Sequence, residues 1–242
     1  GGTFTNLTIT SPGSDGIAMT NPTGSLTIRN VNIANVGAGP AVGTCFPLIS
    51  SVSGNLTCEN VTATNNIRSV FLGNVSGGAV NFAVNNCSVG GGTGNGCDFT
   101  VSGAGNQTVS ITGLTMNGGG IGAGMQCFDA SRGAMLLNNL NITNCTAEGV
   151  FLIAADNSIL KSRLQNSRLT GNGSVGYTVS ALRGGNACLR LTNNTSDVYE
   201  FNQNNSTISV ENFGNLTTEN VGNISILAGG ITNVAVGSCQ IP

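Results

Sequence analysis

LNNLNI, at Leu137–Ile142, is one copy of a six-residue phrase that recurs along the chain. The other copies are FTNLTI (Phe4–Ile9), IRNVNI (Ile28–Ile33), CENVTA (Cys58–Ala63), VNNCSV (Val84–Val89), ITGLTM (Ile111–Met116), LQNSRL (Leu164–Leu169) and LTNNTS (Leu191–Ser196). Their third position is Asn6, Asn30, Asn60, Asn86, Gly113, Asn139, Asn166 and Asn193, at successive spacings of 24, 30, 26, 27, 26, 27 and 27 residues. A near-constant period of this size is the mark of a solenoid, in which each repeat buries its apolar side against the next.

The phrase also states its local geometry. In the second copy Leu26, Ile28 and Asn30 alternate with Thr27 and Arg29, which is the period of a strand. The phase then slips by one residue, so that Val31 and Ile33 fall on the inner side and Asn32 on the outer. The same slip follows Asn86 and Asn139. One slip between two period-2 runs means that the chain turns a corner and begins a second strand. Asn suits the corner because it tolerates the left-handed backbone region, and Gly113 suits it for want of a Cβ. This alternation predicts an inward asparagine ladder at Asn6, Asn30, Asn60, Asn86, Gly113, Asn139, Asn166 and Asn193. Its amides would bond one another from coil to coil, since an unpaired buried amide costs about 1–3 kcal/mol.

A further strand follows a Gly-rich turn in most coils, at Gly16–Met19, Val70–Leu72, Asp98–Val101, Val150–Ala154 and Tyr177–Ala181. Three short strands and three turns per coil predict an all-β fold, a right-handed parallel β-helix of about eight coils of about 27 residues. Residues 1–196 carry the coils. In the last copy the inner slots become Asn194 and Ser196, and 197–242 read as short strands around Tyr199–Phe201, Thr207–Val210, Ile224–Leu227 and Ile231–Val236. This tail is expected to be a C-terminal β cap on one continuous domain, because a solenoid end exposes unpaired edges.

On these residues the chain resembles the parallel β-helix superfamily, which includes pectate lyases, polygalacturonases, phage tailspikes and autotransporter passengers. The Asn column is similar to the asparagine ladder of that superfamily. CLRLTNNTSDVYEFNQ (Cys188–Gln203), followed by NVGNISILAGGITNV (Asn220–Val234), resembles the ends of bacterial secreted β-helix-repeat proteins. The resemblance implies a fold rather than an activity, since the superfamily hosts many functions. The acid cluster, Gly-His-Gly and Arg-x-Lys of polygalacturonases have no counterpart here. KSR at Lys161–Arg163 runs in the reverse order.

Composition narrows the function classes. The chain has 242 residues, 7% of them charged, and a net charge of −2. Ordinary chains carry about 25% charged residues. One Lys and seven Arg, scattered in sequence, argue against nucleic acid and anionic membranes. No apolar run approaches the roughly 18 residues of a membrane span. The chain opens directly in a coil strand and reads as mature, processed or a fragment. It contains no His, which removes the Ser-His-Asp and Cys-His classes, and no CxxC, which argues against zinc. No metal and no cofactor are expected. GGTGNG (Gly91–Gly96) lacks the Lys and the helix of a phosphate loop. A regular Thr array of the ice-binding kind is interrupted by Arg29 and Glu59.

The candidate catalytic groups are Asp129 and Asp156, each ten residues before its corner Asn and so expected to stack on adjacent coils. Such stacking would separate two carboxylates by about 5 Å, the spacing of retaining glycosidases. The alternative is a pair of exposed turn acids neutralised by Arg132, Lys161 and Arg163. Eight cysteines form an even set. Cys45 with Cys58, Cys87 with Cys97, and Cys127 with Cys145 lie within a coil of each other, and Cys188 with Cys239 would tie the tail to the last coil. Cys58 and Cys87 also fit inner slots as small hydrophobes. Disulfides and low charge favour an extracellular or cell-surface location. The fifteen N-x-S/T sequons include Asn6, Asn60, Asn86 and Asn193, which an inward ladder would close to glycans. The functional expectation is a non-catalytic structural or adhesive protein, a surface module or a filament subunit, with itself or surface carbohydrate as partner. The alternative is a polysaccharide-processing enzyme using the Asp pair.

Overall fold

The computed structural model describes residues 1–11, 15–36, 46–50, 52–173 and 175–241. The chain is an all-β parallel solenoid of about eight turns. Phe4 lies opposite Ile28, Ile28 opposite Cys58, Cys58 opposite Val84 and Val84 opposite Ile111. The column continues through Leu137, Leu164 and Leu191. The coil-to-coil register therefore equals the sequence spacing of the repeated phrase.

Each coil contributes to three parallel sheets. Sheet I stacks Asn106–Thr112, Arg132–Asn138, Ile159–Gln165 and Asn186–Thr192. Sheet II stacks Thr115–Asn117, Asn141–Thr143 and Arg168–Thr170. Sheet III stacks Cys97–Val101, Ala123–Cys127, Val150–Ala155 and Tyr177–Leu182. In the first coils, sheets I and II share single long strands, Gly2–Thr10, Gly24–Ala34 and Gly54–Thr64. The core fills the space between the sheets. Ile28, Cys58, Val84, Ile111, Leu137, Leu164 and Leu191 form its sheet I column, and all are buried. Phe82 meets Phe71 and Phe99 edge-on, with centroids 6.3 and 5.1 Å away, the arrangement the ring quadrupole favours.

The corner residues adopt the left-handed conformation, with φ from 52° at Asn60 and Asn86 to 69° at Gly113. Their side chains do not point inward. Asn6, Asn30, Asn60, Asn86, Asn139, Asn166 and Asn193 are all exposed, which corrects the inward ladder. A left-handed residue on a convex corner turns its Cβ to solvent, so two successive residues, such as Arg29 and Asn30, both face out. The next residue takes the inner slot: Val31, Val61, Cys87, Leu114, Leu140, Ser167 and Asn194 are buried.

Amide contacts along the outer column are partial. Asn30 Nδ2 donates to Asn6 at 3.2 Å, Asn60 to Asn30 at 3.2 Å and Asn193 to Asn166 at 3.3 Å. Asn166 donates to Asn138, not Asn139. The buried amides lie one residue later. Asn194 Nδ2 donates to Asn220 Oδ1 and to the Leu164 carbonyl, both at 2.9 Å, and Asn220 donates to the Leu191 carbonyl at 3.0 Å.

Residues beyond 196 keep the same parallel stacking in shortened coils. Thr195–Asn204 lies on sheets II and III, with Tyr199 opposite Tyr177. Thr207–Glu211 lies on sheet I, with Ile208 opposite Ala187. Val221–Ala228 and Ile231–Val234 stack on those two strands in turn. Leu216, in the short helix Leu216–Glu219, is buried at this end of the core. The last strands expose Val221, Ile226 and Leu227.

Candidate functional site

The outer face of sheet I is the most differentiated surface of the solenoid. Its side chains form columns set by the register. One runs Ser25, Asn55, Asn81, Thr108, Ala134, Lys161, Cys188 and Ser209. A second runs Thr27, Thr57, Ala83, Ser110, Leu136, Arg163 and Arg190. A third places Asn106 beside Arg132, and Arg132 beside Ile159. The first five coils are neutral along the first two columns. Asn81 donates to Asn55 at 2.8 Å and Asn55 to Ser25 Oγ at 3.3 Å, which holds these amides in a row.

Two shallow depressions interrupt this face where a small side chain stands among longer ones. Ala83 lies in the first, about 250 Å³, with Asn55, Asn81, Thr108 and Ser110 around it. Ala134 lies in the second, about 190 Å³, with Asn106, Arg132, Ile159 and Lys161 around it. Ser110 and Asn106, on one strand, bridge the two.

The cations scattered in sequence gather here. Arg132, Lys161 and Arg163 share this face on two adjacent coils, and among the described residues none lies within ion-pair distance of a carboxylate. Lys161 Nζ donates to the Gln240 carbonyl at 2.9 Å. Arg163 Nε is buried with no hydrogen-bond partner. On the next coil Arg190 is paired, with Glu219 at 3.0 Å and Glu211 at 3.8 Å. Position parity could have revealed the cluster. Arg132, Lys161 and Arg163 stand seven, five and three residues before Asn139, Asn166 and Asn166. Odd offsets before the corner face outward.

The tail closes this face at its C-terminal end. Cys239 is bonded to Cys188 of the first column, and its backbone N–H donates to Glu211 at 2.5 Å. The other cysteine pairs are corrected. Cys87, Cys97, Cys127 and Cys145 carry free buried thiols, as does Cys58, and Cys45 lies outside the described residues. Inner slots explain this: these side chains point into the core, where burial pushes the Cys87 and Cys145 thiols up to about 11 and Cys127 up to about 12. Cys188 alone among them sits at an outward position of a strand.

Asp129 and Asp156 do occupy equivalent turn positions on adjacent coils, with the Ala130 N–H bonded to the Asp156 carbonyl at 2.8 Å. Their backbone explains their presence. Asp129–Ala130 and Asp156–Asn157 are each two consecutive left-handed residues, a turn that Asp and Asn accommodate. The Asp156 carboxylate takes a two-pronged contact from Arg183 on the following coil, at 2.5 and 2.9 Å. The cation that neutralises it is thus Arg183, rather than Arg132, Lys161 or Arg163. The hydrogen bonds from Arg183 hold the Asp156 carboxyl below the usual carboxylate range, which opposes use as a general acid. Asp129 is exposed, with no side-chain partner among the described residues.

The remaining motifs have structural roles. Glycines 92 and 94 of GGTGNG lie against the Asn66 and Arg68 carbonyls, where an added Cβ would come within 2.1 and 1.9 Å. Arg29 and Glu59 pair across coils at 2.8 Å. The described residues hold no group of three or more His, Cys, Asp or Glu placed to bind a metal, and no helix is long and apolar enough to cross a membrane. No protein-family model, curated protein or solved structure matches the chain.

Proposed function

We propose that this chain is a non-catalytic structural and adhesive β-solenoid of the cell exterior, a surface module or filament subunit, that contacts carbohydrate through the outer face of sheet I. The observation that carries this reading is the row of uncharged amides and hydroxyls, Ser25, Asn55, Asn81 and Thr108, on a rigid parallel sheet, of which Asn55, Asn81 and Thr108, with Ser110 of the next column, surround a depression of about 250 Å³. Fixed amides and hydroxyls at strand spacing match the alternating donors and acceptors of a sugar chain. Their preorganisation reduces the ordering cost of binding. The Cys188–Cys239 bond supports an oxidising compartment. The stretch Cys188–Gln203 with Asn220–Val234, which resembles the ends of bacterial secreted β-helix-repeat proteins, supports the same location.

The filament variant draws on the two end coils. Among the described residues Gly2–Thr10 pairs with Gly24–Ala34 alone, and Phe4 is exposed. Ile226 and Leu227 are exposed at the opposite end. Head-to-tail contacts between such edges do not close and would propagate a fibre. Electron microscopy under non-reducing conditions tests this: fibres are expected for the subunit and discrete rods for the module. A glycan array tests the adhesive face. Binding of at least one neutral or acidic glycan, weakened in Asn81→Ala/Ser110→Ala, is expected. An empty array, or binding that ignores these substitutions, would remove sheet I from the account.

A further inference from the structure

Arg132 and Lys161 at the depression over Ala134, and Arg163 beside it, have no carboxylate partner among the described residues. Arg29, Arg183 and Arg190 all pair with carboxylates. Arg132, Lys161 and Arg163 do not, nor do Arg68 and Arg168 among the described residues, but only the first three share one face on adjacent coils of sheet I, in a chain with 10 acids against 8 bases. The register puts Lys161 diagonally across from Arg132 and two residues from Arg163 on the same face. Such neighbours are about 7–8 Å apart. Like charges this close repel, and packing gains nothing from their being charged. A negatively charged group seated over Ala134 would meet the Arg132 guanidinium and the Lys161 ammonium that line the depression, with Arg163 two residues beyond Lys161 on the same face, an arrangement suited to carboxylate or sulfate oxygens.

We propose that the depression over Ala134 is an anion subsite, and that the polymer on sheet I is an acidic polysaccharide whose carboxylate or sulfate groups are held by Arg132, Lys161 and Arg163. This rests on sheet I being the carbohydrate-contacting face and adds the charge class of the ligand. Continuity favours a polymer over a free ion. Asn106 lines the charged depression, and Thr108 and Ser110 of the same strand line the neutral one. One extended chain thus places its hydroxyls on the amide row and an acidic group on the cations. The neutral row and the net charge of −2 disfavour nucleic acid, which needs positive charge along the whole track.

The test measures binding of alginate, dextran sulfate, dextran and single-stranded RNA to the full chain. The variants are Arg132→Gln/Arg163→Gln, which leaves the Lys161 contact to the tail intact, the triple variant adding Lys161→Gln, and Arg168→Gln. Arg168 is an exposed cation of sheet II. Alginate or dextran sulfate should bind more tightly than dextran, with affinity falling at least tenfold in the double variant and further in the triple. Arg168→Gln should bind as the parent does. Preference for alginate identifies carboxylate as the anion, and preference for dextran sulfate identifies sulfate. Dextran bound as tightly as the acidic polymers, with no effect of the substitutions, overturns the anion subsite and leaves the carbohydrate face standing. No binding of any glycan overturns both. An equal loss in Arg168→Gln assigns the effect to overall charge and overturns the subsite. RNA bound more tightly than either acidic glycan through the same residues overturns the polysaccharide assignment.

Discussion

Asn194→Ala is the sharpest test of what holds the C-terminal coils together. Asn194 is 2% exposed. Its Oδ1 accepts from the Ser167 backbone N–H at 3.0 Å, and its Nδ2 donates to the Leu164 carbonyl and to Asn220 Oδ1. The substitution leaves the Ser167 N–H, itself in a buried residue, without an acceptor, at a cost of about 1–3 kcal/mol. Loss of the two donated bonds adds about 1 kcal/mol, since Asn220 Oδ1 keeps the Asn194 backbone N–H as a donor. The expected destabilisation is therefore about 2–4 kcal/mol. With a urea slope of about 3 kcal/mol/M, the midpoint falls by about 1 M. In a solenoid the loss is local, so amide exchange should accelerate at Ser167 before it does in the N-terminal coils. A midpoint within about 0.2 M of the parent, with Ser167 still protected, would refute the buried-amide account.

The outer corners should respond differently, because there the backbone sets the cost: Asn139→Gly is expected to be nearly neutral and Asn139→Leu to cost about 1–2 kcal/mol of left-handed strain, read from urea melts of the two variants. Cys188→Ser/Cys239→Ser opens a loop of sequence separation 51. Chain entropy sets an upper value of about 4 kcal/mol for that loss, and a melt unaffected by reductant would count against a latch. Alkali should destabilise the fold. Cys87 and Cys145 are raised to about 11 and Cys127 to about 12 by burial, whereas unfolded thiols ionise near 8.5. Between these values the unfolded chain has lost protons that the folded chain keeps, so stability is full below about pH 8.5 and falls as pH rises through 11 to 12. Denaturation midpoints across that range should decline, and iodoacetamide at pH 8 should leave these thiols unlabelled until denaturant is added.

The coil spacing was legible because each inward column repeats an apolar residue, Ile28 to Leu191, and a parallel register preserves that spacing. The inner or outer sense of the corner was not. Alternation counting places Asn30 with Ile28, and only the positive φ shows that the chain reverses side there. The same error hid the buried amides. Asn194 looked like the end of the hydrophobic column, but it and Asn220 carry that column on as a hydrogen-bonded pair. Sequence placed Asp129 and Asp156 on adjacent coils, yet the partner of Asp156 was missed. Arg183 lies on the following coil at the same turn, ten residues before Asn193, so the offset that stacked the two Asp also places it, but the sequence does not show which charge its side chain meets.

Counting from the corner resolves both the cysteines and the cations. Odd offsets before the corner face solvent in sheet I, and even offsets face the core. Cys58 stands two before Asn60 and is buried, whereas Cys188 stands five before Asn193 and faces outward. A tail crossing the outside of the solenoid reaches Cys188 and no inner thiol, which is why the bond forms there and the others stay free. Lys161 shares the offset of Cys188 one coil earlier, so the tail that Cys188 anchors also meets Lys161 through Gln240. The tail therefore meets the depression only through Lys161, and Asn106 lines its other side, on the strand that carries Thr108 and Ser110 of the neutral row. The proposed acidic polymer would extend from the cations along that strand toward Ser110 and Asn81.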